Sequence, residues 1–199
     1  QEWWHSARGV NQVGRLPKMS GGQIKERLEL LVDIAGGVDF SKRYKMLKIL
    51  GSGAQATVYK AASRATKEKV AVKVFEANEL VDDEIFDALQ MELSILKQFK
   101  HQYVVNLHEV LHDNEKLYLV QECLLGGELF ELIIAKGPFK DEDASLMFAQ
   151  VVLGVDYLHG LGIAHRDIKS ENLCFATKPD KSEGFSQLKL IDFGGACVC

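Results

Sequence analysis

The segment His165-Arg166-Asp167-Ile168-Lys169-Ser170-Glu171-Asn172 and the tripeptide Asp192-Phe193-Gly194 set Asp167, Asn172 and Asp192 in polar stretches between short apolar runs. Carboxylate and amide oxygens at strand ends suit magnesium, which takes few protein ligands and fills its shell with phosphate oxygens and water. A carboxylate kept off the metal is free to orient a hydroxyl group. Further back, Val70-Ala71-Val72-Lys73-Val74 places a cation in the middle of an apolar strand. A buried ammonium without a partner is costly to desolvate, so Lys73 calls for an acid. Glu92 is spaced three, four or seven residues from Ile85, Ala88, Leu89, Ile95, Leu96 and Phe99, which centres it on the apolar stripe of a helix. A Lys73–Glu92 ion pair is therefore expected, the alternative being that each side chain reaches solvent separately. Last, Gly51-Ser52-Gly53-Ala54-Gln55-Ala56-Thr57-Val58 puts glycines in a turn between two strand-like runs. Missing Cβ atoms there let backbone amides approach a phosphate, although two glycines in a hairpin are more often only a turn.

These residues need elements to hold them. Residues 44–50, 57–62 and 69–75 read as strands of an antiparallel meander, and residues 82–99 as a helix capped by Asp82 or Asp83. Residues 101–111 and 116–122 return to a strand pattern. After a linker at 124–127, residues 128–135 and 141–159 read as helices. The second carries Ala144, Met147, Phe148, Val151, Val152, Val155 and Leu158 over a broad arc, so it is expected to be well buried. Short strands are expected near 173–175 and 188–191. Ahead of all this, Ser20 and Gln23 have capping-box spacing before Ile24, Leu28, Leu31 and Ile34, with a stop at Gly36-Gly37. That short helix must cover something, either the following domain or a regulatory partner, and packing against the domain is favoured.

The 199 residues are 47% hydrophobic and carry a net charge of -4, enough for a substantial core and giving no global attraction to nucleic acid or an anionic membrane. Cys123, Cys174, Cys197 and Cys199 match neither a disulfide framework nor a paired zinc motif, which points to a reducing, intracellular compartment. No apolar stretch is long enough to span a bilayer or to act as a signal peptide. The sequence begins at Gln1 and ends at Cys199, and both ends are expected to be cuts in a longer protein.

Taken in order, the glycine-rich loop, the V-A-x-K strand, the helix glutamate, H-R-D-x-K-x-x-N and D-F-G make the chain resemble the eukaryotic protein kinases from about residue 44 to 199. The resemblance implies an α+β, two-lobed fold. Residues 1–43 would be an extension with a short amphipathic helix, 44–122 an N-lobe with a five-stranded antiparallel sheet and one helix, and 123–199 the hinge and the first part of a mainly helical C-lobe. It implies ATP and Mg2+ as cofactors and a protein serine or threonine hydroxyl as acceptor. Gly51, Ser52, Gly53 and Ala54 would cover the phosphates, with Val58 closing that loop. Lys73 would hold the α and β phosphates and be fixed by Glu92. Asp167 would align the substrate hydroxyl, Lys169 would neutralise charge on the transferred group, and Asn172 and Asp192 would hold magnesium. The Glu122 carbonyl and the Leu124 amide would bind adenine, Val58, Ala71 and Cys174 would sandwich it, and Glu128 would reach the ribose. Leu96, Leu107, His165 and Phe193 would stack as an internal spine. Lys169 implies the serine/threonine type, and Gly126-Gly127-Glu128-Leu129-Phe130 is most similar to the calcium/calmodulin-dependent group.

Some features depart from that pattern. Ala56 replaces the third glycine of the loop, and Gly195 follows D-F-G where a larger apolar residue is common. No Ser, Thr or Tyr follows Asp192 to partner Arg166 once phosphorylated, and the A-P-E motif is absent from the sequence. The 199-residue chain alone is thus expected to have little peptide phosphorylation activity. A nucleotide-binding pseudokinase is the alternative reading, disfavoured because Lys73, Asp167 and Asp192 are all present.

Overall fold

The computed structural model describes residues 20–32, 39–53, 56–113, 115–178 and 186–199. The first element is α1 (Gly21–Leu31), where Ser20 and Gln23 form the reciprocal capping box that their spacing predicts. Gly36-Gly37 and Ile34, read as the end of that helix, lie outside the described residues. A single turn, α2 (Phe40–Arg43), leads into β1 (Tyr44–Ser52), β2 (Thr57–Ser63) and β3 (Lys69–Glu76). After a 3-10 turn at Glu79–Val81 come α3 (Asp83–Leu96), β4 (Leu107–His112) and β5 (Lys116–Glu122). The five strands form one antiparallel sheet in the order β1-β2-β3-β5-β4.

Period-two alternation along β3 explains how this sheet positions Lys73. Val70, Val72 and Val74 turn to the outer face with Leu111, Tyr118 and Val120. The ring of Phe40 covers them, 4.3 Å from that of Tyr118 and 5.3 Å from that of Tyr44. Ala71, Lys73 and Phe75 are left on the inner face, where Phe75, Leu117 and Leu119 join Leu89, Leu93, Ile95 and Leu96 of α3 in the main core. The registers pair Val58 with both Gly51 and Lys73, and Ala71 with Gln121, so these residues share that inner face.

Two expected elements turn out shorter. Helix α3 starts as read, with Asp82 accepting from the amides of Glu84 and Ile85, but it ends at Leu96 rather than at residue 99. The Gln98 amide bonds to the Ile95 carbonyl, an i to i+3 turn that winds the last residues out of the helix. The strand read over 101–111 begins only at Leu107. Residues before it form a loop whose backbone is paired elsewhere: the Leu190 amide donates to the Tyr103 carbonyl, and the Val105 amide to the Leu190 carbonyl, each at 2.9 Å.

Beyond β5 the chain forms α4 (Leu129–Lys136), α5 (Asp141–Gly160), β6 (Ile163–Ala164), β7 (Leu173–Phe175), β8 (Leu188–Leu190) and β9 (Cys197–Val198). Strand β6 pairs with β9, and β7 with β8. Burial of α5 is narrower than its composition suggests. Met147, Gly154 and Leu158 are enclosed, whereas Leu146, Phe148 and Leu153 are 64%, 68% and 50% exposed. The apolar arc of α5 is wider than the surface that it meets here. Among the described residues no helix is long and apolar enough to cross a membrane.

Candidate active site

Lys73 projects from the inner face of β3 toward α3, and its Nζ lies 2.8 Å from Glu92 Oε1. The same ammonium is 3.3 Å from Asp192 Oδ1. Burial alone would lower the Lys73 pKa, but the Glu92 and Asp192 carboxylates outweigh it and hold the lysine above its ordinary 10.5, so it is a cation. Glu92 is 5% exposed, while the Asp192 side chain is 53% exposed. One carboxylate thus fixes the lysine from within the core and the other meets it from the open side. Asp192 adopts a left-handed backbone, φ 59°, a conformation sparsely populated by non-glycine residues and found where surrounding structure enforces it.

The second group lies on the loop after β6. Asp167 Oδ2 accepts from Lys169 Nζ and from Asn172 Nδ2, each at 2.8 Å, and Asn172 Nδ2 also donates to the Asp167 carbonyl at 2.9 Å. The Lys169 hydrogen bond, followed by that from Asn172, keeps the Asp167 carboxyl below the usual carboxylate range. His165 supports the loop from beneath. Burial lowers its pKa, leaving a neutral imidazole. Nε2 lies 3.0 Å from the Ile191 carbonyl, which can only accept, so Nε2 carries the proton and Nδ1 accepts from the Asp167 amide at 3.3 Å. The Ile191 amide in turn donates to the Asn172 carbonyl at 2.9 Å, which ties the Asp167–Asn172 loop to the residue before Asp192. Phe193 is buried with its ring 4.8 Å from that of His165 and 5.0 Å from that of Phe99, and it shares the core with Leu96 and, at its edge, Leu107. Arg166, also at a positive φ of 64°, donates from Nε to the Gly195 carbonyl at 2.6 Å.

The remaining residues lie toward β5. Gly51, Ser52 and Gly53 are exposed at the end of β1, and the loop is closed by the Gly53 amide bonding to the Ala56 carbonyl at 2.9 Å. Ala54 lies outside the described residues. Val58 and Ala71 line the inner face of the sheet above Lys73, half-buried. Cys174 on β7 faces Glu128 through an isolated bridge, and burial pushes its thiol up to about 12. Burial, then the neighbouring Glu131 and Glu171, raise the Glu128 carboxyl. Glu122 and Leu124 flank Cys123 at the end of β5, and the chain beyond them is sewn to β7 by Leu125 and Gly126 amides donating to the Ala176 and Phe175 carbonyls at 2.9 Å. A Cβ on Gly126 would collide with the backbone of Phe175 and Thr177, so this crossing admits only glycine without movement.

Sequence reasoning missed the partner of the Glu122 side chain. Lys189, 5% exposed on β8, places Nζ 2.8 Å from Glu122 Oε1, and the same oxygen accepts from the Asn106 amide at 2.7 Å and from Asn106 Nδ2 at 2.9 Å. No signal in Leu188-Lys189-Leu190 separates this lysine from a solvent-facing one. A groove of about 800 Å3 lined by Arg43, Lys69, His108, Glu122, Cys123 and Leu125 opens behind this segment, and Lys73 does not line it.

Two clusters thus converge: a lysine held between two acids, and a carboxylate held by a lysine and an amide, joined through Ile191 and Asn172. The protein kinase domain model matches residues 44–199. The chain belongs to the protein kinase family. It is 40% identical over 156 residues to myosin light chain kinase A of Dictyostelium discoideum, covering 78% of this chain and 51% of that protein. It is 38% identical over 194 residues to a serine/threonine-protein kinase H1 homolog of Pinctada fucata, covering 96% and 45%. A third relative, the CBL-interacting serine/threonine-protein kinase 20 of Arabidopsis thaliana, is 35% identical over 158 residues, covering 79% and 34%. The chain therefore spans between a third and about half the length of these curated relatives. The α+β arrangement is that of a kinase N-lobe, with its five-stranded sheet and single helix, followed by the start of a C-lobe.

Proposed function

We propose that this chain is the nucleotide-binding part of a protein serine/threonine kinase that transfers the ATP γ-phosphate to a protein hydroxyl. The observation that carries this reading is the position of the Lys73 ammonium, fixed by buried Glu92 and facing half-open Asp192 across the cleft between β3 and the D-F-G segment. A cation so placed has a permanent internal partner and a side open to a ligand's phosphates. In this reading Lys73 binds the α and β phosphates. Gly51, Ser52, Gly53, Ala54 and Val58 cover the phosphates from the β1–β2 turn. Ala71 and Cys174 close on the adenine, the Glu122 carbonyl and Leu124 amide pair with it, and Glu128 meets the ribose. Asn172 and Asp192 offer hard oxygen donors on backbones joined through Ile191, a set that fits Mg2+. When bound there, the ion would neutralise charge on the phosphates. Asp167, anionic and aligned by Lys169 and Asn172, would orient the acceptor hydroxyl and take its proton, with Lys169 balancing charge on the moving group.

The proposed division of the molecule follows β5. Residues 44–122 form one lobe, 123–199 the hinge and part of the next, and 1–43 an extension. Membership of the calcium/calmodulin-dependent group and an intracellular location belong to the same proposal, the latter supported by four free cysteines. Titrating the purified chain with ATP, with and without magnesium, and following its melting temperature tests the binding reading, because a ligand that binds only the folded state raises stability. An upward shift that needs magnesium and disappears in Lys73→Met is expected. Absence of any shift at saturating ATP overturns the reading. Phosphotransfer to a serine or threonine peptide, lost in Asp167→Asn, tests the catalytic half.

A further inference from the structure

Helix α1 lies before the residues matched by the kinase family, yet it is built into the main core. Leu28 is 0% and Leu31 2% exposed, in the same cluster as Leu80 and the α3 residues Phe86, Leu89 and Leu93. Ile24, Leu28 and Leu31, the described part of the face that sequence patterning left open to a regulatory partner, therefore pack against the chain's own N-lobe.

Arg27 adds a specific geometry to that contact. Nη1 donates to the Leu80 carbonyl at 2.6 Å and to the Val81 carbonyl at 3.3 Å, while Nη2 pairs with the Asp83 carboxylate. The guanidinium carbon also sits 4.7 Å from the centre of the Phe86 ring. One side chain thus grips the 3-10 turn that leads into α3, its first acidic residue and its first buried aromatic. A planar fork with donors on both nitrogens and a face for stacking is the group that can do this, and lysine cannot. Helix α3 carries Glu92 about two and a half turns beyond Asp83. The same helix presents Glu92 to Lys73.

We propose that α1 is a built-in clasp on α3, and that Arg27 is a positioning residue which keeps the Lys73–Glu92 pair closed and so sets the affinity for the phosphate end of a nucleotide. This rests on the reading of the cleft as an ATP site. The α1 clasp acts on Lys73 through α3, and among the described residues no hydrogen bond or ion pair joins α1 to residues 123–127, so it should discriminate between ligands that do and do not carry phosphates.

The test compares Mg·ATP with adenosine, measured by calorimetry on the 199-residue chain. In Arg27→Ala, Mg·ATP affinity falls roughly tenfold and adenosine affinity stays at the wild-type value, as expected when a remote contact modulates coupling to one part of a site. Hydrogen exchange of the α3 amides speeds up in the same variant. Unchanged affinity for both ligands in folded Arg27→Ala overturns the proposal, and so does an equal loss for both, which marks general destabilisation. If Arg27→Ala does not fold, Asp83→Asn carries the test by removing the exposed partner of the same guanidinium. It is expected to give the same selective loss at about threefold, and wild-type affinities overturn the clasp. A wild-type chain that binds neither ligand overturns the ATP-site reading itself, a result distinct from any of these.

Discussion

Two lysines, each 2.8 Å from a glutamate, are finished differently. At the hinge end, one oxygen of Glu122 accepts from Lys189 and twice from Asn106, and Lys189 also reaches the Val104 carbonyl. Both charged side chains there are held by other parts of the protein, although Asn106 Oδ1 is left buried without a hydrogen-bond partner. At the phosphate end, Lys73 is shared between enclosed Glu92 and half-open Asp192. The first arrangement holds the α3–β4 loop, β5 and β8 together; the second keeps a cation charged and reachable. Similar distances therefore serve unlike purposes, and exposure of the second partner separates them.

The strongest way to break this comparison is Lys73→Met. Loss of a charge-assisted contact to phosphate is expected to weaken Mg·ATP binding on the order of a hundredfold, measured by calorimetry. Water from the open side can reach Asp192, whereas Glu92, its side chain 6% exposed, is left without its cation, so stability falls as well. Lys189→Met should cost stability while leaving Mg·ATP binding in place. Stranding the Glu122 carboxylate, with its side chain 22% exposed, costs about 3 kcal/mol or more in urea unfolding, since breaking a buried pair leaves an uncompensated charge. If Lys189→Met weakens Mg·ATP binding as much as Lys73→Met does, the distinction between a binding pair and a holding pair is lost.

Why one pair was legible in the sequence and the other was not follows from the same contrast. A lysine in Val-Ala-Val-Lys-Val is anomalous, and Glu92 sits where a helix should show only apolar residues, so each announces the other. Leu188-Lys189-Leu190 is ordinary alternation, which places the lysine on the solvent side of a strand. It is buried because the loop over residues 101–106 and the end of β5 cover that side, a long-range event with no local trace. The same loop was read as strand because its residues suit one, yet its backbone bonds go to Leu190 of β8. The long helix α5 shows the opposite failure. Its many apolar residues suggested full burial, but composition measures what a helix can bury, whereas neighbours decide what it does bury.

A smaller test sharpens the hinge end. Gly126→Ala forces a Cβ into the Phe175 and Thr177 backbone where the chain crosses β7, and overpacking of this kind costs about 1–3 kcal/mol. Because the crossing follows Leu124 directly, adenosine affinity should fall along with the melting temperature. Normal adenosine binding by a destabilised Gly126→Ala would mean that the adenine contacts do not depend on this crossing.

The mildest probe is alkaline pH, which reaches the phosphate end without a mutation. Lys73 has a folded pKa raised above 10.5 by Glu92 and Asp192, so the folded state favours the protonated form. Its contribution is complete below the ordinary lysine value and is lost as pH climbs through the raised one. Tyr44 behaves alike for a different reason: burial, then its hydrogen bond to Glu109, pushes the phenol from 10.0 up to about 12, so its share of stability also fades across that interval. Urea unfolding should therefore show stability declining from the ordinary tyrosine value upward. Tyr44→Phe and Lys73→Met each remove part of that slope, and Tyr118 and Cys174, also raised by burial, carry a further part. A slope left unchanged by Lys73→Met would mean that the Lys73 pair is less strongly coupled than its geometry implies.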